Sequence, residues 1–559
     1  MKIDLKSQQR KINGESNFRE ILPKVISLLL LGMAFVITMY YVRENIWLSL
    51  NSDDASELVL GRLLADEGGI LSKNWYYSTE LRVLNTNIFY SLFFQITDNW
   101  RHVRLLSYMC MYALLIVTYL VMTKAYRINR YAELFGLLLM IPLSWEYYSY
   151  VLKGAYYLPH ITISFAILAL SQFYVRKNGK PMIAILGASA VLSLLAGLGG
   201  PRQILVLHLP LLVAALIGTV IRKCSEGKKY LAFAVVNFVA GTIGYVINAK
   251  ILSRIYSFAS WDISFTGISF SRIEEVLNGI LYVFGYSTAS VFSFALLKNI
   301  VAVSWVILTV YAIAYALRNA KKVSFEYLSY SIFTATAYSI FALLYFFTNM
   351  SFVNRYWIPI TVLSLPLVTA FFNELEIKRS RINAIVIVFV MLCCLCGFQL
   401  YRENWKINYT YELRQISETA QDQGYATGYA SFWKANVLTE LSHGQIDMYD
   451  WADSGSDQSL LDVKDVDQTY KWLQLKRHDY ERPEGKVFLV FSREEAQNCN
   501  WKGNLKEEDL IYSSESYSVY GYESYNVMVD TLYTEYEVPL GSDENISDEN
   551  ISDENSHSE

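Results

Sequence analysis

Runs of about twenty apolar residues recur along this chain, separated by short polar turns. A helix needs roughly 20 such residues to cross the hydrocarbon core of a bilayer. Within that core a backbone satisfies its own polar groups only as a helix or a closed barrel. Continuous apolarity marks candidate spans at 22–42, 104–123, 132–150, 156–175, 181–199, 203–221, 230–249, 293–317, 327–348, 356–373 and 383–400. The fold class expected is therefore a polytopic α-helical membrane protein of about eleven transmembrane helices. Composition agrees, because 18% of the 559 residues are charged where a soluble domain carries about 25%.

The connections sort by charge. Lys124, Arg127 and Arg130, then Arg176, Lys177 and Lys180, then Arg222, Lys223, Lys228 and Lys229 fall on every second loop. Arg318, Lys321 and Lys322, and finally Lys378, Arg379 and Arg381, continue the pattern on the side of the basic N-terminus. The positive-inside rule makes that side cytoplasmic. The N-terminal run Val25–Val42 is longer than the h-region of a signal peptide, so it is read as a retained first span. The net charge of −4 and the confinement of basic residues to short loops argue against nucleic acid as a partner.

Four regions are then expected: a cytoplasmic N-terminus at 1–21, a transmembrane module at 22–400 with a long outer loop at 43–103, an extracytoplasmic domain at 401–540, and an acidic tail at 541–559. The tail repeats SDENI and lacks the apolar residues to build a core, so it is predicted to be disordered. Asn545 and Asn550 match a glycosylation sequon only because the repeat recurs. In the domain, helices are expected at Tyr411–Gln423, Ser431–Ser442 and Thr469–His478, and strands at Tyr425–Tyr429, Gln445–Tyr449, Lys486–Ser492 and Tyr517–Tyr522. That rhythm suggests a small α/β fold. Trp433, Asn436 and Glu440 within it are compatible with packing or with holding an acceptor glycan. Cys393, Cys394 and Cys396 sit in an apolar run without a partner histidine and read as apolar fillers.

The outer loop holds the chemistry. Asp53 and Asp54 follow the first span, and Glu57 lies one turn further along a helix that Ser52 can cap. The apolar set Ala55, Leu58, Val59 and Leu63 has helical spacing, so this helix is expected along the membrane surface. Acids in a first turn are also favoured by the helix dipole whatever the protein does. Lys73, Trp75, Tyr76, Tyr77, Glu80 and Arg82 cluster twenty residues on. Carboxylates, cations and aromatic faces together suit a sugar phosphate.

This arrangement of a first span, an acidic pair (Ser52-Asp53-Asp54) and an amphipathic helix resembles the GT-C glycosyltransferases. Within them it is most similar to the protein O-mannosyltransferase and aminoarabinose transferase branch. The family pattern is usually Asp-Glu where this chain has Asp-Asp; Asp53 aligns with the first acid and Asp54 adjoins it. The resemblance implies transfer of a sugar from a polyprenyl-phosphate donor to a cell-surface glycan, glycolipid or protein at the outer face of a bacterial cell membrane. One Asp would act as general base while cations hold the departing phosphate. Glycosyl phosphate is already activated, and no phosphate-binding or dinucleotide loop is present in the sequence. No cofactor is expected; the alternative is Mg²⁺ or Mn²⁺ at Asp53, Asp54 and Glu57.

Candidate cations lie at the outer ends of spans: Arg202 in GGPRQ, Arg355 with Tyr356 and Trp357 in NRYW, and Lys153 with Tyr156, Tyr157 and His160, with Arg82 and Arg104 completing the set. Charge near hydrocarbon is expensive and points to function, although each could be a snorkelling or belt residue. His160 is read as a packed polar residue. The competing function is a transporter or flippase of lipid-linked envelope intermediates, which would favour internal repeats and mid-membrane charges.

Overall fold

The computed structural model describes residues 3–79, 81, 83–258, 263–267, 272–289, 293–375, 378–451, 470–499 and 501–533, with side chains from residue 22 onward. Glu80, Arg82 and the tail with Asn545 and Asn550 fall outside those residues. Among the described residues ten helices are long and apolar enough to cross a membrane, from Leu22–Leu48 to Arg379–Glu403. Each overlies an expected span. The exception is 132–150, which is broken into the short helices Ala132–Gly136, Leu137–Leu139, Trp145–Tyr147 and Tyr148–Lys153.

The break has a local cause. Pro142 offers no backbone N–H and restricts the residue before it. The Met140 carbonyl instead accepts from Thr38 at 2.8 Å and from Tyr401 at 2.7 Å. The segment still traverses the bundle. Its contacts climb the first long helix, α1 (Ile3–Asn45), in order. Glu133 pairs with Lys24 at 3.2 Å, Met140 meets Thr38, and the Tyr148 hydroxyl lies 3.3 Å from that of Tyr41. Ten helices and one broken crossing therefore leave the two termini of the bundle at opposite ends.

Those ends differ. At one, Arg176 and Arg127 share Glu326 at 3.0 and 3.4 Å, Arg222 donates to the Lys321 carbonyl at 2.9 Å, and Lys229 donates to the Lys177 carbonyl at 3.2 Å. The basic loops thus gather on one face. At the other end lie α2 (Ser52–Glu67) and the start of α3 (Trp100–Ala125). The polar region 401–533 docks there, with Thr410 donating to the Trp47 carbonyl at 2.6 Å. Between the ends the helices pack by close approach of small residues: Gly244 faces the Leu194 carbonyl and Gly197 faces Gly241.

The docked region begins with α4 (Tyr411–Asp422) and α5 (Phe432–Leu441). Its sheet contains β1 (Thr427–Ala430), β2 (Asp447–Asp450), β3 (Val487–Ser492), β4 (Leu510–Ser513) and β5 (Tyr517–Tyr522). The order is β2-β1-β3-β5-β4, with β1 parallel to both β2 and β3 and with β5 antiparallel to β3 and β4. All five residues Val487–Phe491 are buried, as a strand covered on both faces requires. The helix expected at Thr469–His478 does not form over the described residues. Gln474–Leu475 instead pairs antiparallel with Trp75–Tyr76 of the outer loop, and Lys476–Asp479 is one 3₁₀ turn. Pairing with a distant strand outweighs the local helical pattern.

Candidate active site

The site is built on the first turn of α2. Asn51, not Ser52, caps this helix: its side chain accepts from the Asp54 N–H at 2.8 Å. Ser52 donates to the Phe432 carbonyl, fixing the helix start to α5. Nor is α2 a surface helix. It is packed between α5 and the helix Asn87–Phe94, and Ala55 and Leu58 are fully buried. Its apolar stripe serves protein contacts at the bundle end.

Asp54 is 1% exposed and braced from several sides. Tyr156 donates to its Oδ1 at 2.7 Å, and the Lys153 ammonium lies 3.0 Å from its Oδ2. That second contact is an ion pair without hydrogen-bond alignment. Gly154 lets these groups converge, since a Cβ there would strike the Tyr156 ring and come within 2.9 Å of Asp54 Oδ1. The next residue, Ala155, has a positive φ of 56°, a conformation that costs energy outside glycine and clusters at functional sites. Burial, and then the negative charge of Asp54 and Asp53, pushes the Tyr156 hydroxyl well above its ordinary value. Tyr156 therefore stays protonated and acts as a donor. Asp53, the residue before, is only half-buried.

Arg104 locks this turn from behind. It donates to the Asp54 carbonyl at 3.0 Å and holds Glu440 of α5 through Nε at 2.8 Å and a second nitrogen at 2.5 Å. Both side chains are essentially without solvent contact. Burial pushes Glu440 up to about 7 against the pull of Arg104, so losing the arginine would leave it protonated.

A chain of tyrosines links Asp54 to two further arginines. The rings of Tyr156 and Tyr157 lie 6.3 and 6.2 Å from that of Tyr150. Tyr150 accepts from Arg355 at 3.0 Å and carries that guanidinium 5.0 Å above its ring. Arg202 sits 4.9 Å over Tyr157 and 5.6 Å over Tyr356. Both guanidiniums lie over aromatic faces, and a guanidinium is the cation whose fork matches a phosphate. Both π-helical segments, Tyr148–Lys153 and Ile204–His208, flank these residues, as such irregular turns often do at functional sites.

The structure thus brings together Asp53, Asp54, Lys153, Arg202, Arg355 and Tyr356. It does not bring Lys73 or Tyr76. Lys73 is exposed, and Tyr76 donates to Asp479 beside Lys471 and Lys476, serving the junction of the outer loop with the docked domain. Glu57 accepts from Thr86 at 2.9 Å and Asn85 at 3.3 Å. The three acids proposed for a divalent cation accordingly do not converge, and no group of three or more metal-binding side chains forms among the described residues. His160 packs as expected, with Gln203 donating to its carbonyl at 3.0 Å. Sequence reasoning missed Tyr150 and the pairing of Arg104 with Glu440, a contact 336 residues apart in the chain; its signal was an arginine one turn after Arg101 at the head of an apolar helix.

No family model and no curated protein matches the chain. Solved structures do. ArnT from Cupriavidus metallidurans in the apo state superimposes with a TM-score of 0.57 at 10% identity, covering 89% of this chain and 98% of that one. The same protein bound to undecaprenyl phosphate gives a TM-score of 0.54 at 14% identity, covering 88% and 97%. At such identities the likeness concerns the fold, and it bears out the polytopic helical architecture with a docked, sheet-containing C-terminal domain.

Proposed function

We propose that this protein is an integral membrane glycosyltransferase that moves a sugar from a polyprenyl-phosphate donor to a glycan, glycolipid or protein acceptor. The observation that carries the reading is that Asp54, held by Lys153 and Tyr156 next to Asp53, is joined through a row of tyrosines to Arg202 and Arg355 at one bundle end. Undecaprenyl phosphate, the ligand of the ArnT structure that shares this fold, is a donor carrier of the kind required. The basic loops at the opposite end support an extracytoplasmic placement of the site, in the cell membrane of a bacterium.

Asp53 is the residue suited to general base, because it combines a partly open position with the buried, braced Asp54 beside it. It takes the acceptor hydroxyl proton as that oxygen bonds to the anomeric carbon. The bond from that carbon to the phosphate oxygen breaks, and polyprenyl phosphate departs with its charge held by Arg202 and Arg355. Asp54, neutralised by Lys153, holds the helix turn and Tyr156 in place. Removing the carboxylate of a general base costs about 10² to 10⁴ in rate.

The test is release of free polyprenyl phosphate by purified protein in detergent, offered a panel of polyprenyl-phosphate sugars with and without membrane extract as acceptor. Acceptor-dependent release from one donor supports the reading. Tight binding of a donor with no turnover under any acceptor condition, coupled with its movement across a proteoliposome membrane, would replace it with transport.

A further inference from the structure

A cavity of about 450 Å³ opens between the ends of α1 and α3 beneath α4. Its charged lining is Arg43, Glu44, Arg101, His102, Arg104 and Arg414, so four arginines face one acid. Arg104 is neutralised by Glu440, and Arg43 has Glu44 at 3.7 Å. Arg101 and Arg414 have no acidic partner among the described residues. Arg101 lies 4.7 Å over the Trp47 ring, and the Arg414 Nε is buried without a hydrogen-bond partner. Arg101 is exposed and Arg414 half-buried, and with no counter-charge on either the space carries net positive charge that favours an anion. The N-terminus of α3, a 26-residue helix, adds its positive end to the same space.

The depth of the cavity identifies the anion. Its apolar wall is Val42, Ile46 and Leu105, which belong to the last turns of the span Leu22–Leu48 and the first turns of the span Trp100–Ala125. Trp47 sits at the same level, as interfacial tryptophans do. An anion held here has apolar surface immediately on one side and the docked domain on the other. A soluble anion gains nothing from that wall, whereas a lipid phosphate has acyl chains to lay against it.

We propose that this cavity binds the phosphate headgroup of an anionic membrane lipid, gripped by Arg101 and Arg414 at the seam between bundle and C-terminal domain. The cavity adjoins the Asp53 cluster only through Arg104, which reaches the Asp54 carbonyl, and the proposed binding does not depend on the transfer reaction.

The experiment is equilibrium binding of headgroup-labelled phosphatidylglycerol to the full-length protein in nanodiscs of phosphatidylcholine. One saturable equivalent is expected, displaced by unlabelled phosphatidylglycerol and not by phosphatidylcholine. The double variant Arg101→Gln with Arg414→Gln should weaken it about thirtyfold, from roughly a tenfold-per-1.4 kcal/mol conversion of about 1 kcal/mol for each cation. The Arg101→Lys with Arg414→Lys pair should retain most binding. Equal affinity for the two lipids in wild type would overturn the proposal, whether or not the glutamine variant folds. Displacement by millimolar inorganic phosphate as readily as by lipid would overturn the lipid assignment in favour of a free-anion pocket.

Discussion

Both ends of the helical bundle carry arginines and lysines, yet they use them differently. At the end of the basic loops, Arg127 and Arg176 share one glutamate while Arg222 and Lys229 reach backbone carbonyls. Such contacts tie loops together and can be met by any cation of suitable reach. At the end that holds Asp53, Arg202 and Arg355 lean on tyrosine rings and Arg104 on a fully buried carboxylate. There the geometry is specific, because a planar guanidinium over a ring is not replaced by an ammonium. Charge count alone marks topology; the company a charge keeps marks a site.

The contrast yields graded predictions. Replacing Arg202 and Arg355 together by Ala should cut kcat/KM by about 10³, two charge-assisted contacts of roughly 2 kcal/mol each. Their Lys versions should recover little of the loss, as steady-state release of polyprenyl phosphate would reveal. Next in size, Glu440→Gln should destabilise the protein by about 3 kcal/mol, because it strands the buried Arg104 charge. Thermal melting in detergent measures this, and pairing it with Arg104→Met should return part of the loss. Gly154→Ala should cost about 1–3 kcal/mol through overpacking against Tyr156 and Asp54, with activity falling further than stability.

A smaller effect concerns pH. Burial alone would raise Asp447, but His478 at 3.0 Å and Arg477 at 2.7 Å hold its carboxyl below the ordinary value. A lowered carboxylate stabilises the fold above its ordinary value of about 4 and loses that contribution as pH falls through the folded value. Melting of the docked domain, followed down from about pH 6, should therefore decline more steeply at acid pH in wild type than in Asp447→Asn. Smallest of all, Glu326→Gln at the opposite bundle end should change stability by about 1 kcal/mol or less and leave transfer unaltered. A large loss of activity in that variant would erase the distinction between the two ends.

The fold was largely legible in advance because its signals are local: ten of the expected apolar runs are single helices, and the alternation of basic loops matches their gathering on one face. Residues 132–150 were apolar enough to read as one helix, but Pro142 and side chains brought from α1 and Tyr401 broke it. The site was legible in residue type more than in partnership. Asp53, Asp54, Lys153, Arg202 and Arg355 stood out as charges beside apolar runs. Lys73 and Tyr76 looked alike in sequence, yet Tyr76 belongs to a strand pairing with Gln474–Leu475 and Lys73 is exposed just before it, which no spacing within the loop could reveal. The Arg104–Glu440 clamp joins two regions that each read as self-contained.

The most direct measurement compares Asp53→Asn with Asp54→Asn, scoring both donor cleavage and melting temperature. Asp53→Asn should lose about 10² to 10⁴ in turnover while melting like wild type, and Asp54→Asn, which strands Lys153, should also melt lower. Transfer by Asp53→Asn at the wild-type rate would rule out Asp53 as the general base.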